Sequence, residues 1–278
     1  MKLASYDDGS RDGQLLVVSR DLTQAHCATA IAGRLQQVLD DWGFLSPQLQ
    51  DLYTQLNHGR LRHAFDFDPT QCLAPLPRAF QWASAAGDAL TLQRGASDDF
   101  LGPCAPARFA SETMGIAFTP GVAVVTGDVA QGASAAQALE GVRLLILLND
   151  WRLEAVAGLQ GSPATSVAPV AVTPDELGED WRGGRVGLAL QAMRNGRKLA
   201  ADVEAPVAAF GPLIAHLAGT RRVRAGSVVG ALGGALSGAA SSLPLKFGDS
   251  IRIDIKGRDG QSVFGAIDQD ITSTQTTP

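Results

Sequence analysis

From about residue 76 onward the chain is a succession of short apolar, β-branched runs, each cut off by Gly or Pro. The runs are VAVVTGD, GVRLLILLND, SVAPVAV, RVGLALQAMRNG, SVVGAL, SIRIDIKG and SVFGAID. Their length and their β-branched character predict strands. Turn residues separate them, where crossover helices would be needed for an alternating βαβ sheet. Asn195-Gly196 and Asp259-Gly260 supply two tight turns. Two helices interrupt the strands: SAAQALEGVRLL, beginning near Ser134, and VAAFGPLIAHLAGT, ending at Gly219. The fold class that follows is α+β and β-rich, with peripheral helices.

Residues 1–75 read as a separate, smaller αβ unit, and residues 76–278 as the β-rich one. In the first unit DGQLLVVSRD predicts a strand pair, and the spacing of Ile31, Leu35, Val38, Leu39 and Trp42 predicts one face of a helix. Ser46 and Pro47 are placed as the N-cap and first turn of a second helix carrying Leu49, Leu52, Tyr53 and Leu56. The Pro-punctuated FDFDPTQCLAPLPRAFQW connects the two units. In IAFTPGVAVVTGD, residues 116–128, Pro120 and Gly121 read as a bend leading into a strand at Val122–Val125.

With 278 residues, 45% of them hydrophobic and 18% charged, the chain is long enough for one large domain with a smaller one attached. A formal charge of −5 argues against nucleic acid, which needs clustered Lys and Arg. The one basic cluster, TRRVRAG at 220–226, reads as a solvated turn. Cys27, Cys72 and Cys104 stand far apart without CxxC or His at ligand spacing, so neither a zinc site nor a disulfide framework is expected. A reducing, cytoplasmic location is expected, and MKLASYDDGSRDG has no apolar core of a signal peptide. Residues 225–245 carry no charge and repeat Gly at GxxxG spacing, yet five Gly, four Ser and a Pro leave them too weakly apolar for a membrane span. No membrane partner is expected.

Catalytic groups are scarce. The four histidines are His26, His58, His63 and His216, with none between residues 64 and 215. His216 falls on a helix where a surface or capping role is expected. Neither GxSxG nor HExxH is present, and nothing assembles a triad.

Several segments, in order over nearly the whole chain, resemble the fumarylacetoacetate hydrolase family: MKLASYDDGSRDGQLLVVSRD, LQQVLDDWGFLSPQLQDLY, CLAPLPRAFQW, GSPATSVAPVAVTPDELG, NGRKL, LIAHLAGTRRVRAGSVVG and FGDSIRIDIKGRDGQSVFGAID. The resemblance implies a small N-terminal αβ domain followed by a rolled mixed β-sheet, assembled as a homodimer. It also implies a divalent metal in the roll, Mg²⁺ or Mn²⁺, at which enol or diketo acids undergo C–C hydrolysis, decarboxylation or tautomerisation. Two Glu at E-x-E spacing on a strand point to one face and can grip a hard cation together.

Residue by residue, the chain departs from that pattern. The family's F-E-x-E-V-A-V-V corresponds to Phe118–Val125, so Thr119 and Gly121 stand where the two Glu ligands belong. The third metal carboxylate corresponds to Asp150, and it is followed by Arg152 and Glu154 where the family has Ser and Arg. The lid segment with N-H-x-x-E is shortened to ASAAGDALTLQRGASDDFLGP and has no His. Ser162 replaces the Lys expected before Pro163, and ALGGALSGAASS replaces the family's G-T-x-S turn. Ser162 and Asn149 are the positions left for a substrate pocket. Asp98, Asp99, Glu112 and Glu154 are the acids near enough in sequence to substitute as ligands, and each also reads as an ordinary solvated charge.

Every departure falls at a site or lid position, and in residues 225–242 fourteen of eighteen are Ala, Gly or Ser. The reading preferred on these grounds is a family scaffold with its catalysis impaired or lost, by natural decay or by deliberate trimming. No metal is then expected at high affinity, and the remaining ligand would be a small oxo acid. The alternatives are a metal-dependent hydrolase or decarboxylase using Asp150 with unconventional ligands, and an oligomeric shell protein.

Overall fold

The computed structural model describes residues 1–86, 91–199, 203–204, 209–233 and 245–274. The expectation for ALGGALSGAASS, beyond its first three residues, falls outside the described residues, as do residues 234–244 of the segment 225–245.

The strands, in chain order, are β1 (Lys2–Tyr6), β2 (Gln14–Val18), β3 (Gln24–Cys27), β4 (Phe65–Asp66), β5 (Gln81–Ala86), β6 (Gln93–Gly95), β7 (Ala107–Phe109), β8 (Ile116–Thr126), β9 (Val142–Leu153) and β10 (Ala164–Val167). They continue as β11 (Ala171–Val172), β12 (Trp181–Arg182), β13 (Arg185–Val186), β14 (Ala189–Arg194), β15 (Arg197–Lys198), β16 (Val203–Glu204), β17 (Ser227–Leu232), β18 (Ser250–Ile255) and β19 (Ile267–Ser273). The helices are α1 (Leu35–Asp40), α2 (Trp42–Asn57), α3 (Ala135–Glu140) and α4 (Phe210–Ala218). This is the β-rich α+β fold that the strand pattern predicts.

Among the described residues one large mixed sheet has the order β4-β3-β2-β1-β11-β9-β8-β17-β5-β6, with β10 also paired to β9. A second sheet runs β15-β14-β18-β19-β7, with β16 also on β14. The pairs β17–β5 and β19–β7 are parallel, the others antiparallel. The first sheet is continuous between the two sequence units because β1 pairs with β11, Lys2 opposite Val172 and Leu3 opposite Ala171.

The unbroken apolar runs VAVV and LLILL follow from burial on both faces of β8 and β9. Val122, Val124, Leu145, Leu147 and Trp151 join one core cluster with Phe210, Leu213 and Ile214 of α4 and with Ile251, Ile253 and Ile255 of β18. Their alternates Ala123, Val125, Leu144, Ile146 and Leu148 join the other, with Leu3, Leu15, Val17, Val38, Leu49 and Trp82.

Three local expectations are corrected. Pro120 and Gly121 form no bend: β8 runs straight through them, in register with β9 from Ile116 opposite Leu153 onward. The Pro120 carbonyl accepts from Gly233 N at 3.0 Å. A residue's N and C=O point to the same edge of a strand, so the donor missing from Pro120 faces the end of β17 and removes no bond to β9. Ser46 and Pro47 do not start a helix either; they lie within α2, whose first residue is Trp42, while Asp41, with φ −130° and ψ 51°, separates it from α1. Pro47 is the sixth residue of α2, where it removes the intrahelical bond that its nitrogen would have donated. SVFGAID supplies only the beginning of its strand, since β19 starts at Ile267.

The helix near Ser134 starts as expected: the Ser134 hydroxyl accepts from Gln137 N and the Gln137 side chain returns to Ser134 N, a capping box. Asn195 and Gly196 both have positive φ, as the tight turn between β14 and β15 requires. Among the described residues no helix is long and apolar enough to cross a membrane.

Candidate functional site

The site is built where β8, β9 and β10 lie side by side. Asp150 is opposite Thr119 on β8 and opposite Thr165 on β10. Strand alternation puts Thr119, Gly121, Asp150 and Arg152 on one face. The register places Thr119 directly opposite Asp150, and Gly121 opposite Leu148 on the same face.

Asp150 is only 1% exposed, and each of its oxygens is engaged. Ser162 Oγ donates to Oδ1 at 2.8 Å and Thr165 Oγ1 donates to the same atom at 3.1 Å. Arg152 Nη2 meets Oδ2 at 2.8 Å. Burial pushes the Asp150 carboxyl above its ordinary value, and the Arg152 charge and the hydroxyl donors oppose that shift without cancelling it.

Gly121 is packed against β17. A Cβ built there would stand 2.4 Å from Ala231 O and 2.9 Å from Leu232 Cα, both backbone atoms. The strand neighbours thus close over the space in which a side chain at this position would start.

On the open side lies a cleft of about 650 Å³, lined by Gln93 and Arg94 of β6, Ala117 and Thr119 of β8, Arg152 and Leu153 of β9, and Glu154, Val156, Gly158, Gly161 and Ser162. Ser162 thus reaches the cleft, and its hydroxyl serves Asp150. Asn149 is not part of the lining: it is fully buried, opposite Pro120 and Ser166, on the other face of the sheet. Among the described residues neither its amide oxygen nor its amide nitrogen has a hydrogen-bond partner.

The other acids do not converge on Asp150. Glu112 accepts from Phe247 N at 2.7 Å, and Asp98 and Asp99 line a different cleft, with Phe109 and Pro163. Glu154 does line the Asp150 cleft and is exposed. Among the described residues no group of three or more His, Cys, Asp or Glu could hold a metal ion. One carboxylate that already carries a guanidinium does not fit a hard divalent cation, which needs several charged or carbonyl oxygens turned toward it.

The sequence pointed to Asp150 and Ser162; it missed the partnership of Asp150 with Arg152 and Thr165, and the place of Arg94 on the cleft. The signal for Arg152 was present, since residues i and i+2 of a strand share a face and carry opposite charge here. Thr165 and Arg94 come from other strands, and only the register reveals them.

Comparison with known proteins agrees with this architecture. The family model described as Fumarylacetoacetase N-terminal domain 2 matches residues 1–78, and that described as Fumarylacetoacetate (FAA) hydrolase C-terminal matches residues 88–272. Among solved structures, the chain is similar to maleylpyruvate hydrolase from Sphingobium sp. SYK-6, with a TM-score of 0.75 at 16% identity over 98% of this chain and 100% of that one. A second structure of that hydrolase, in complex with manganese(II) and pyruvate, matches with the same TM-score and identity over 99% of this chain and 100% of that one. Fumarylacetoacetate hydrolase from the psychrophilic Exiguobacterium antarcticum matches with a TM-score of 0.72 at 16% identity, over 98% of this chain and 99% of that one. No curated protein sequence matches the chain. Two family models in tandem, which together match residues 1–78 and 88–272, place the chain in the fumarylacetoacetate hydrolase family.

Proposed function

We propose that this chain is a fumarylacetoacetate hydrolase-family scaffold whose metal-dependent C–C chemistry is lost or severely impaired, and which remains a small-molecule-binding protein. The observation that carries this reading is the state of Asp150. Its two oxygens are taken by Ser162, Thr165 and Arg152, and the neighbouring strand positions offer Thr119 and a Gly121 with no room for a Cβ. A divalent ion would have to displace a 2.8 Å guanidinium contact to gain a single carboxylate.

The test is calorimetric titration with Mn²⁺, followed by assay of oxaloacetate decarboxylation with and without Mn²⁺. We expect neither stoichiometric binding nor metal-stimulated turnover. Stoichiometric Mn²⁺ binding that disappears in Asp150→Ala would overturn the reading. It would favour the alternative, a divalent-metal-dependent hydrolase or decarboxylase of oxo acids, for which Glu154 on the same cleft is the available second carboxylate.

A further inference from the structure

We propose that Lys2 is a carbonyl-capturing amine, and that the cleft it lines takes a small uncharged aldehyde as a Schiff base on Nζ. The inference goes beyond the reading above: this cleft shares no lining residue with the Asp150 cleft, and its chemistry needs no metal.

Segments remote in sequence bring the amine to the cleft. β1 supplies Lys2, residues 174–180 supply Glu176, and the connection between β18 and β19 supplies Val263. The cleft encloses about 400 Å³, room for a small metabolite. Lys2 is only 3% exposed, and its Nζ donates to Val263 O at 2.9 Å, which fixes the nitrogen beside a residue of the same lining. The neighbouring Met1 amino group is engaged elsewhere: it pairs with Glu176 at 3.0 Å and donates to Thr173 Oγ1.

Burial makes the Lys2 amine nucleophilic. It lowers the pKa from 10.5 to about 8; the charge of Glu176 opposes the shift, that of Arg20 adds to it, and those of Asp259 and Asp21 oppose it. At neutral pH such an amine offers a free lone pair on the order of a hundred times more often than an exposed lysine. The neutral nitrogen forms a bond to the carbonyl carbon. The carbonyl oxygen takes one proton from that nitrogen and one from solvent, and leaves as water. The product is an iminium, formed without oxidation or reduction. Its remaining N–H can keep the bond to Val263 O, and its positive charge stays in the lining with Glu176 and Asp259, where the ammonium's was.

The charges select the ligand. Four acids line the cleft, Glu176, Glu179, Asp180 and Asp259, against Arg20, Arg258 and Lys2 itself. Arg258 contacts Asp180 at 2.8 Å and Glu179 at 3.3 Å, and Arg20 stands 3.5 Å from Glu176. Both guanidinium groups already face carboxylates, so an aldehyde that is itself an anion meets more negative than positive charge once Lys2 is neutral. Carbon dioxide is disfavoured on the same ground, because a carbamate would replace the lysine's positive charge by a negative one beside these acids.

The chain has four lysines, and Lys198, Lys246 and Lys256 are exposed, so each molecule carries its own reference. The test treats the full chain with propanal at neutral pH in EDTA, with sodium cyanoborohydride to reduce the iminium to a stable secondary amine. Peptide mass mapping follows each lysine, and fragmentation separates Lys2 Nζ from the Met1 amino group. We expect Lys2 to be labelled about tenfold faster than each exposed lysine, the gain in free lone pair being partly offset by narrow access. The preference should vanish at unfolding concentrations of urea, and should be lost with glyoxylate, whose aldehyde carries a carboxylate. Labelling of Lys2 no faster than of the exposed lysines, labelling of the Met1 amino group in its place, or a preference that survives unfolding overturns the proposal. An equal preference with glyoxylate overturns the assignment to an uncharged ligand. EDTA throughout makes every outcome independent of whether the Asp150 cleft binds a metal.

Discussion

At the scale of the residue, the arrangement turns on which neighbour a buried charge finds. Asp150 is legible from its place in LLND, but the metal pattern points to other acids as its partners, because a metal site is assembled from like charges around an ion. The partner is instead a cation two residues along the same strand. Asn149, next to Asp150, has the opposite problem. Its amide is fully buried, and among the described residues neither polar atom has a partner, so each forfeits its bonds to water without replacement. Asn149→Leu conserves the shape and removes both orphans, so it should raise the unfolding free energy by about 1–2 kcal/mol in urea titration. A loss of stability in that variant would mean that the amide is satisfied by groups beyond the described residues.

At the scale of the element, β8 carries a Pro and a Gly inside a fully paired strand. The sequence suggested a bend at Pro120–Gly121 because both residues favour turns when read locally. The strand persists because Pro120 directs its missing donor past the end of β17, and because Gly121 lets β17 approach more closely than any side chain would allow. Neither cause is visible without the pairing of Gly121 with Leu232, more than a hundred residues away in sequence. Gly121→Ala should therefore lower the unfolding free energy by about 1–3 kcal/mol, since its Cβ meets backbone at 2.4 Å. The control is Thr119→Ala on the same strand, half-buried and without a side-chain hydrogen bond, for which a change of about 0.5 kcal/mol or less is expected. Equal stability of Gly121→Ala and the unaltered chain would show that β17 yields easily. For the same steric reason, Gly121→Glu would require β17 to move. Elements whose signals are local were read correctly: the capped start of α3, the Asn195-Gly196 turn and the doubly buried runs of β8 and β9 each follow from their own residues.

At the scale of the whole molecule, the two sequence units share one sheet, and the first strand is bound to the rest at its outset. Lys2 pairs with Val172 through the backbone, and its ammonium donates to Val263 O at 2.9 Å, so one residue of β1 ties together segments separated by almost the full chain. No local pattern in KLASY announces this, because a lysine beside an apolar strand ordinarily reads as solvent-facing. The ammonium is buried, and burial lowers its pKa from 10.5 to about 8, with the charge of Glu176 opposing the shift. Between those two values the unfolded chain binds more protons than the folded one, so stability should rise with pH across the interval. The penalty for burying the charge is felt in full below about pH 8 and is relieved as pH approaches 10.5. A shift of that size corresponds to about 3 kcal/mol at most. Tyr53 and Cys72 titrate in the opposite sense, since burial raises both, and the Lys2 contribution must therefore be read as a difference. Denaturant unfolding of the unaltered chain and of Lys2→Met should give curves whose gap shifts in favour of the unaltered chain as pH rises from about 8 to 10.5. A gap that stays constant across that interval would show that Lys2 keeps its proton in the folded sheet, and that the tie to Val263 is a charged one throughout.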